Sequence, residues 1–205
     1  STSDIPDVRI ELDKQIPMGA GLGGGSSNAA AVLSGINELL GLGYSDSELE
    51  RMAVELGADV PFFIKGGVQY AEGVGDELSS SQLPVMGAVL LITPPTKVST
   101  KWAYAEAIKY LPDGYSTGKF PAASGNSEEW KLFENDFEPL VFQTYPEIGT
   151  IKDRLLRLNA VFASLSGSGS TVFGIFEDEA DARKALTSFS PPLQTFLAHP
   201  IKIRN

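Results

Sequence analysis

The chain has 205 residues, of which 42% are hydrophobic and 20% are charged, with a formal net charge of −10 and no cysteine. This composition is typical of a globular protein with one large domain or two small ones. The negative charge argues against nucleic acid and anionic membranes as partners. The lack of cysteine excludes disulfides, thiol catalysis and cysteine metal sites in this chain. We therefore expect no nucleic-acid or membrane partners, and a reducing compartment such as the cytoplasm.

A glycine-rich stretch at residues 17–30 dominates the first part of the chain. Before it, residues 8–12 alternate apolar and polar, which predicts a half-buried strand. After it, apolar residues predict a helix that ends at Gly41 and Gly43. Glycine admits positive φ and leaves backbone amides accessible, and a helix N-terminus favours an anion. The strand–loop–helix unit therefore predicts a phosphate cradle, in which the side chains of Ser26, Ser27 and Asn28 can cap the helix or hold a phosphate oxygen.

The glycine loop does not fit the two best-known phosphate-binding patterns. It has no lysine after the glycines, which excludes GxxxxGK[ST]. Gly19, Gly21 and Gly24 do match the letters of GxGxxG, but that match is weak evidence by itself, and the dinucleotide fold then requires a second strand ending in an acidic residue about 20 residues on. Instead, Ser45 and Glu48 form a capping box that opens a second helix, over residues 46–56. A purely structural glycine turn remains the alternative.

Asp59 is a candidate functional carboxylate. It lies at a break between the second helix and an apolar run, and we expect Pro61 to stop the helix and to make Val60 extended. A carboxylate beside apolar side chains needs a polar or charged partner. The alternative is an ordinary helix N-cap or turn aspartate. His199 is the single histidine, and we expect it to be an ordinary surface or strand residue.

The chain predicts two domains. Residues 67–71 predict a strand that enters a tight glycine turn at 72–76. The polar, low-complexity residues 79–82 predict a boundary, which gives domains at 1–82 and 83–205.

The second predicted domain has the element order β, α, β, β, α, β from Gly87 onward. Residues 113–126 are rich in glycine, proline and serine and predict a surface loop inserted after the first helix. Two of the later strands are joined by the glycine–serine segment 166–170. This order is that of the ferredoxin-like split β-α-β fold.

These segments together resemble the galacto-homoserine-mevalonate-phosphomevalonate (GHMP) kinase superfamily, and within it the 4-diphosphocytidyl-2-C-methyl-D-erythritol kinases. The residues that carry the resemblance are Gly-Ala-Gly-Leu-Gly-Gly-Gly-Ser-Ser-Asn-Ala-Ala at 19–30, Gly-Ala-Asp-Val-Pro-Phe-Phe at 57–63, Ala-Glu-Gly-Val-Gly at 71–75, Asn-Asp-Phe-Glu at 135–138 and the second glycine motif at 165–173. The resemblance implies a two-domain α+β fold, with a partial N-terminal domain like that of ribosomal protein S5 and a ferredoxin-like C-terminal domain. A different small-molecule kinase of the superfamily and a nucleotide-binding module without catalysis are the alternatives.

The resemblance also implies a reaction and a set of site residues. The reaction is transfer of the ATP γ-phosphoryl group, with Mg²⁺, to the 2-hydroxyl of 4-diphosphocytidyl-2-C-methyl-D-erythritol, with no protein residues dedicated to the metal. Asp59 would be the catalytic carboxylate that accepts or orients the hydroxyl proton. The ATP-binding residues would be Pro17, Met18, Gly19, Ala20, Gly21, Leu22, Gly23, Gly24, Gly25, Ser26 and Ser27. The substrate-binding residues would be Val74, Thr100 and Tyr104, and the site-closing glycine loop would be Gly167, Ser168 and Gly169. Plain packing is the alternative for the substrate residues, and a hairpin turn is the alternative for Ser168.

One part of the family pattern does not occur in this sequence. The family begins with a segment that carries a Pro-Ala-Lys motif, whose lysine helps to polarise the reaction, and a Gly-Tyr-His motif, which helps to hold the cytidyl group. We expect that segment to have been removed, to be supplied as a separate chain, or to be lacking from an inactive product. We also expect the sheet that holds residues 8–12 to have an unpaired edge, so that residues 1–205 alone would be poorly soluble or would need the missing segment added in trans.

Overall fold

The computed structural model describes residues 7–73, 75, 77–81, 87–110 and 127–201. The α-helices are α1 (Gly24–Leu39), α2 (Asp46–Val54), α3 (Val60–Lys65), α4 (Thr100–Ala107), α5 (Glu138–Thr144), α6 (Pro146–Arg157) and α7 (Glu179–Leu186). The strands are β1 (Gln69–Glu72), β2 (Glu77–Ser80), β3 (Ala88–Thr93), β4 (Phe162–Leu165), β5 (Val172–Phe176) and β6 (Gln194–Ala198). Two 3₁₀ helices cover Ile108–Tyr110 and Ser127–Leu132. The predicted α+β class is confirmed.

Helices α1, α2 and α3 pack together in the first half of the chain around a small cluster of Ala30, Ala53 and Val60. Helix α2 begins with the predicted capping box, in which the Ser45 N–H donates to Glu48 Oε2 over 2.9 Å. Hydrogen bonds from the Ser45 backbone and hydroxyl hold the pKa of the Glu48 carboxyl below its usual value. The capping box thus fixes where α2 starts relative to α1.

Two sequence predictions for this half are wrong. Residues 8–12 form no strand with any described segment, and Ile10 and Leu12 are 57% and 63% exposed. Alternation specifies which side chains share a face, but a strand exists only where another strand accepts its hydrogen bonds. Pro61 lies in the first turn of α3 and Val60 is helical. Proline is tolerated there because the N–H that it lacks would have no partner inside the helix.

A hairpin of β1 and β2 follows α3, with Gln69 opposite Ser80. Ser79 and Ser80, two of the four polar residues that predict the domain boundary, lie in β2. Residues 82–86 and 111–126 lie outside the described residues, so the division into 1–82 and 83–205 stays a prediction, as does the inserted surface loop.

The second half contains a four-stranded antiparallel sheet with the order β4-β5-β3-β6. Helices α6 and α7 both contact this sheet. Leu90, at the centre of β3, lies opposite Gly174 of β5 and Leu197 of β6 and is fully buried. This order confirms the predicted ferredoxin-like domain. Its first strand, β3, leads into α4 and its second strand, β4, leads into the loop at 166–170, so both connections leave the sheet near the glycine-rich stretch of the first half.

Substitutions of two neighbouring leucines in α6 test which residues form the core of the second half. Leu155 is fully buried, whereas Leu156 is 43% exposed. We expect Leu155→Ala to lower the free energy of unfolding by about 2–5 kcal/mol, since it removes buried methyl groups and leaves a cavity. The matched Leu156→Ala change should cost less than about 1 kcal/mol. Urea denaturation of the full-length protein measures both, and similar losses for the two variants would contradict the assigned core.

Candidate active site

The glycine loop leads directly into the N-terminus of α1. Gly23 is the N-cap in left-handed conformation, with φ 61°, and no side chain caps the helix. The first helical hydrogen bond runs from the Ser27 N–H to the Gly23 carbonyl over 2.9 Å. The N–H groups of Gly24, Gly25 and Ser26 therefore precede the intrahelical ladder and are available to an anion. Ser26 and Ser27 lie within the first turn of α1, and neither side chain caps the helix.

The first glycine loop contacts the second. The Ser166 hydroxyl donates to the Gly21 carbonyl over 2.8 Å, and the Thr171 N–H donates to the Ala20 carbonyl over 3.2 Å. Gly21 has φ 78°, and a Cβ built on it would lie 2.0 Å from the Ser166 carbonyl oxygen. Only glycine fits at this position, because any side chain would separate the two loops.

A cleft of about 730 Å³ opens between these loops and α4. The residues that line it are Leu12, Lys14, Pro17, Met18, Gly19, Ala20, Gly21, Leu22, Gly23, Gly24, Gly25, Ser26, Asn28, Asp59, Thr100, Tyr104, Gly167 and Ser168. Most of the predicted site residues therefore share one cavity. Ser27, in the first turn of α1, and Gly169, in the second glycine loop, are not among the lining residues, and Val74 lies outside the described residues.

Asp59 occupies the N-cap position of α3, yet its side chain makes no capping hydrogen bond. The carboxylate is exposed and lines the cleft, while Val60 and Pro61 are buried. The expectation that apolar side chains surround Asp59 is thus wrong, because Asp59 itself is exposed although the next two residues are buried. The ordinary N-cap alternative matches the position of Asp59 but not its hydrogen bonding.

Lys14 is a cleft residue that the sequence reasoning missed. Its Nζ lies 3.2 Å from where a Cβ on Gly24 would be, against the first turn of α1. The lysine of the best-known phosphate-binding loop follows the glycines, whereas Lys14 precedes them and its side chain reaches the first turn of α1. Lys14 places a positive charge beside the free N–H groups of α1, in a chain with net charge −10.

The opposite wall of the cleft comes from α4. The Thr100 hydroxyl lies 3.0 Å from the Ser168 hydroxyl, and Thr100 is in the first turn of α4. The Tyr104 ring is 58% exposed and packs edge-on against Phe137, with 4.9 Å between the ring centroids. An exposed aromatic side chain at a cleft is more typical of a ligand contact than of core packing.

Across the described ranges, no three histidine, aspartate or glutamate side chains lie close enough together to hold a metal ion. None of the described helices has the length and apolar character needed to cross a membrane.

Comparison with known proteins gives the same family. The model of the GHMP kinases N terminal domain matches residues 1–67, and the model of the GHMP kinases C terminal domain matches residues 122–190. A 4-diphosphocytidyl-2-C-methyl-D-erythritol kinase from Prosthecochloris aestuarii is 42% identical over 89% of this chain and 66% of the relative. The enzyme of the same name from Chlorobium luteolum is 42% identical over 90% of this chain and 69% of the relative.

Solved structures agree. A crystal structure of 4-(cytidine 5'-diphospho)-2C-methyl-D-erythritol kinase matches with a TM-score of 0.76 at 32% identity, covering 90% of this chain and 68% of that one. A homoserine kinase from Cytophaga hutchinsonii matches with a TM-score of 0.67 at 20% identity, covering 91% of this chain and 68% of that one, a likeness of fold alone.

The chain belongs to the GHMP kinase family. The curated relatives described above are 4-diphosphocytidyl-2-C-methyl-D-erythritol kinases, and the chain spans about two thirds of their length.

The contact between the two glycine loops predicts that adding a methyl group at Gly21 weakens nucleotide binding. Gly21→Ala would strain a positive φ and clash with Ser166, and we expect it to weaken binding of a non-hydrolysable ATP analogue by at least about tenfold, or about 1.4 kcal/mol. The control is Gly35→Ala, on an exposed part of α1 where an added Cβ meets nothing within 4 Å. The control should bind normally and gain about 0.5–1 kcal/mol of stability. Calorimetric titration of the full-length protein measures the affinities, and equal affinities for both variants would rule out the assigned contact.

Proposed function

We propose that this protein transfers the γ-phosphoryl group of ATP to the 2-hydroxyl of 4-diphosphocytidyl-2-C-methyl-D-erythritol, a step of the non-mevalonate isoprenoid pathway. The observation that carries the proposal is that the free N–H groups of α1 and the carboxylate of Asp59 face one cleft. The names of the relatives supply the substrate. Because the co-substrate is ATP, we place the reaction in the cytoplasm or a plastid-like compartment.

The phosphates of ATP would bind at the first turn of α1. The N–H groups of Gly24, Gly25 and Ser26 and the positive end of the helix dipole favour an anion there. The Lys14 ammonium lies at the same turn. These local groups are needed because the net charge of −10 opposes anion binding elsewhere on the protein.

Mg²⁺ would accompany ATP and neutralise charge on its phosphates. The cleft offers oxygen donors on Ser26, Asn28 and Asp59. Mg²⁺ usually keeps several waters and binds substrate phosphates with one or two carboxylates, so this small donor set fits the ion.

Asp59 would accept the proton of the substrate hydroxyl, or orient the hydroxyl as charge develops on its oxygen. Its carboxylate is exposed to the cleft and is not engaged in a helix cap. Phosphoryl transfer depends mainly on positioning and charge stabilisation, so one well-placed carboxylate is sufficient as the base.

The cytidyl-diphosphate part of the substrate would contact Thr100 and Tyr104 on α4, together with Val74. Tyr104 presents an exposed ring on which a base can stack, and the Thr100 hydroxyl can donate to a phosphate oxygen. Gly167 and Ser168 would close this end of the cleft once both substrates are bound.

Asp59→Asn tests the carboxylate, because it keeps the shape of the side chain and removes its charge. We expect turnover by the full-length enzyme to fall roughly 10²–10⁴-fold, the range for a positioned acid or base, with little change in affinity for an ATP analogue. Asp46→Asn is the matched control, since Asp46 is exposed at the start of α2, and it should leave turnover unchanged. If Asp59→Asn turns over within a few-fold of wild type, Asp59 has only a structural role.

Substrate choice tests the proposed reaction itself. A coupled assay of ADP release compares 4-diphosphocytidyl-2-C-methyl-D-erythritol with homoserine and mevalonate at equal concentrations. We expect the cytidyl substrate to give much the highest kcat/KM, since Tyr104 and Thr100 provide contacts that the two smaller molecules do not reach. Comparable or better turnover of homoserine or mevalonate would place the protein in another branch of the family, and ATP binding without turnover of any of the three would indicate a non-catalytic module.

A further inference from the structure

We infer that Asn135 and Glu138 are positioning residues, which hold the second glycine loop (residues 166–169) against the first. This inference rests on the proposed function, since it concerns how the same cleft closes for phosphoryl transfer. We call residues 135–138 the clamp segment. Neither residue lines the cleft, so each would act through the loop and not on the substrate.

The Asn135 amide connects the two ends of the turn that starts the second loop. Its Nδ2 donates to the Leu165 carbonyl over 2.9 Å and to the Gly167 carbonyl over 2.8 Å. Its Oδ1 accepts from the Phe137 N–H over 2.9 Å, which fixes the orientation of the amide. An amide is the side-chain group that provides two donors and an acceptor in one plane, so it suits this position.

Glu138 holds the end of strand β4 from which the loop departs. Its Oε1 accepts from the Leu165 N–H and from the Ser164 hydroxyl, each over 2.9 Å. Its Oε2 pairs with Lys152 of α6. Hydrogen bonds to an ionised carboxylate are stronger than neutral ones, and the Glu138 side chain is only 12% exposed. The base of the loop is therefore tied to both α5 and α6.

The loop held by the clamp segment reaches three parts of the cleft. Ser166 donates to Gly21 of the first loop, and Ser168 lies in hydrogen-bonding contact with Thr100. Gly167, whose carbonyl Asn135 binds, lines the cleft itself. Within the same clamp segment, Phe137 packs against the ring of Tyr104. A shift of the clamp segment would therefore displace both the second glycine loop and the Tyr104 ring.

The test replaces the Asn135 amide by a carboxylate. Asn135→Asp keeps the shape and the acceptor for the Phe137 N–H, but it removes the donor and faces two carbonyls with negative charge. We expect faster amide hydrogen exchange at residues 165–169 and a kcat lower by roughly 10–30-fold, the change for two lost hydrogen bonds. The KM for ATP should change little, because the phosphate cradle at α1 is untouched. Asn159→Asp makes the same chemical change at an exposed position after α6 and should match wild type in both measurements.

A double-mutant cycle with Ser168→Ala distinguishes positioning through the loop from general destabilisation. If Asn135 acts through the loop, the combined loss in kcat is smaller than the product of the single losses. Losses that multiply, or unchanged exchange at residues 165–169, would overturn the inference. If Asn135→Asp does not fold, Glu138→Gln tests the same claim, since it keeps the shape and removes the charge that Lys152 pairs with; exchange at residues 165–169 must again rise. Amide exchange is measured without substrate, so it tests the role of the clamp segment even if the protein has no activity. An inactive wild-type protein would overturn the proposed function only.

Discussion

The contact between Gly21 and Ser166 is the constraint on which the rest of the site depends. It joins two loops that are 145 residues apart in sequence, and it leaves no room for a side chain on Gly21. The first loop continues into α1, whose free N–H groups form the proposed phosphate cradle. The second loop leaves β4 and touches Thr100 of α4. The width of the cleft between α1 and α4 is therefore determined by how closely these two loops approach each other.

The distribution of charge at the site follows from the same arrangement. The chain carries a net charge of −10, so an anionic nucleotide must be attracted by groups within reach of its phosphates. The helix N-terminus provides backbone N–H groups, and Lys14 provides a full positive charge beside them. Asp59 lies in the same cleft with an exposed carboxylate, where an opposing cation or a substrate hydroxyl can reach it. The proposed reaction therefore brings ATP and its acceptor together in this cleft.

Features set by local chemistry could be predicted from the sequence. The capping box at Ser45, the glycine loop before α1 and the order of helices and strands along the ferredoxin-like domain depend on neighbouring residues or on regular alternation, and the structure has them all. Features set by contacts distant in sequence could not. Residues 8–12 alternate like a strand but have no partner among the described segments, and nothing in that alternation specifies a partner.

The same limit explains which parts of the candidate site were missed. Lys14 reaches the α1 N-terminus only because the chain before Pro17 folds back on the helix. Asn135 and Glu138 belong to one of the motifs that carry the family resemblance, but the positioning role inferred for them depends on carbonyls and amides about 30 residues further along the chain. The sequence shows two glycine-rich segments, but it does not show that the two loops contact each other.

Amide hydrogen exchange with and without a non-hydrolysable ATP analogue and Mg²⁺ tests the central claim most directly. If both glycine loops enclose one nucleotide site, binding slows exchange at residues 19–27 and at residues 166–171 together, with matching dependence on nucleotide concentration. Strand β6, which takes no part in lining the cleft, should exchange at the same rate in both states. Protection confined to one loop, or found only outside both, would contradict the account.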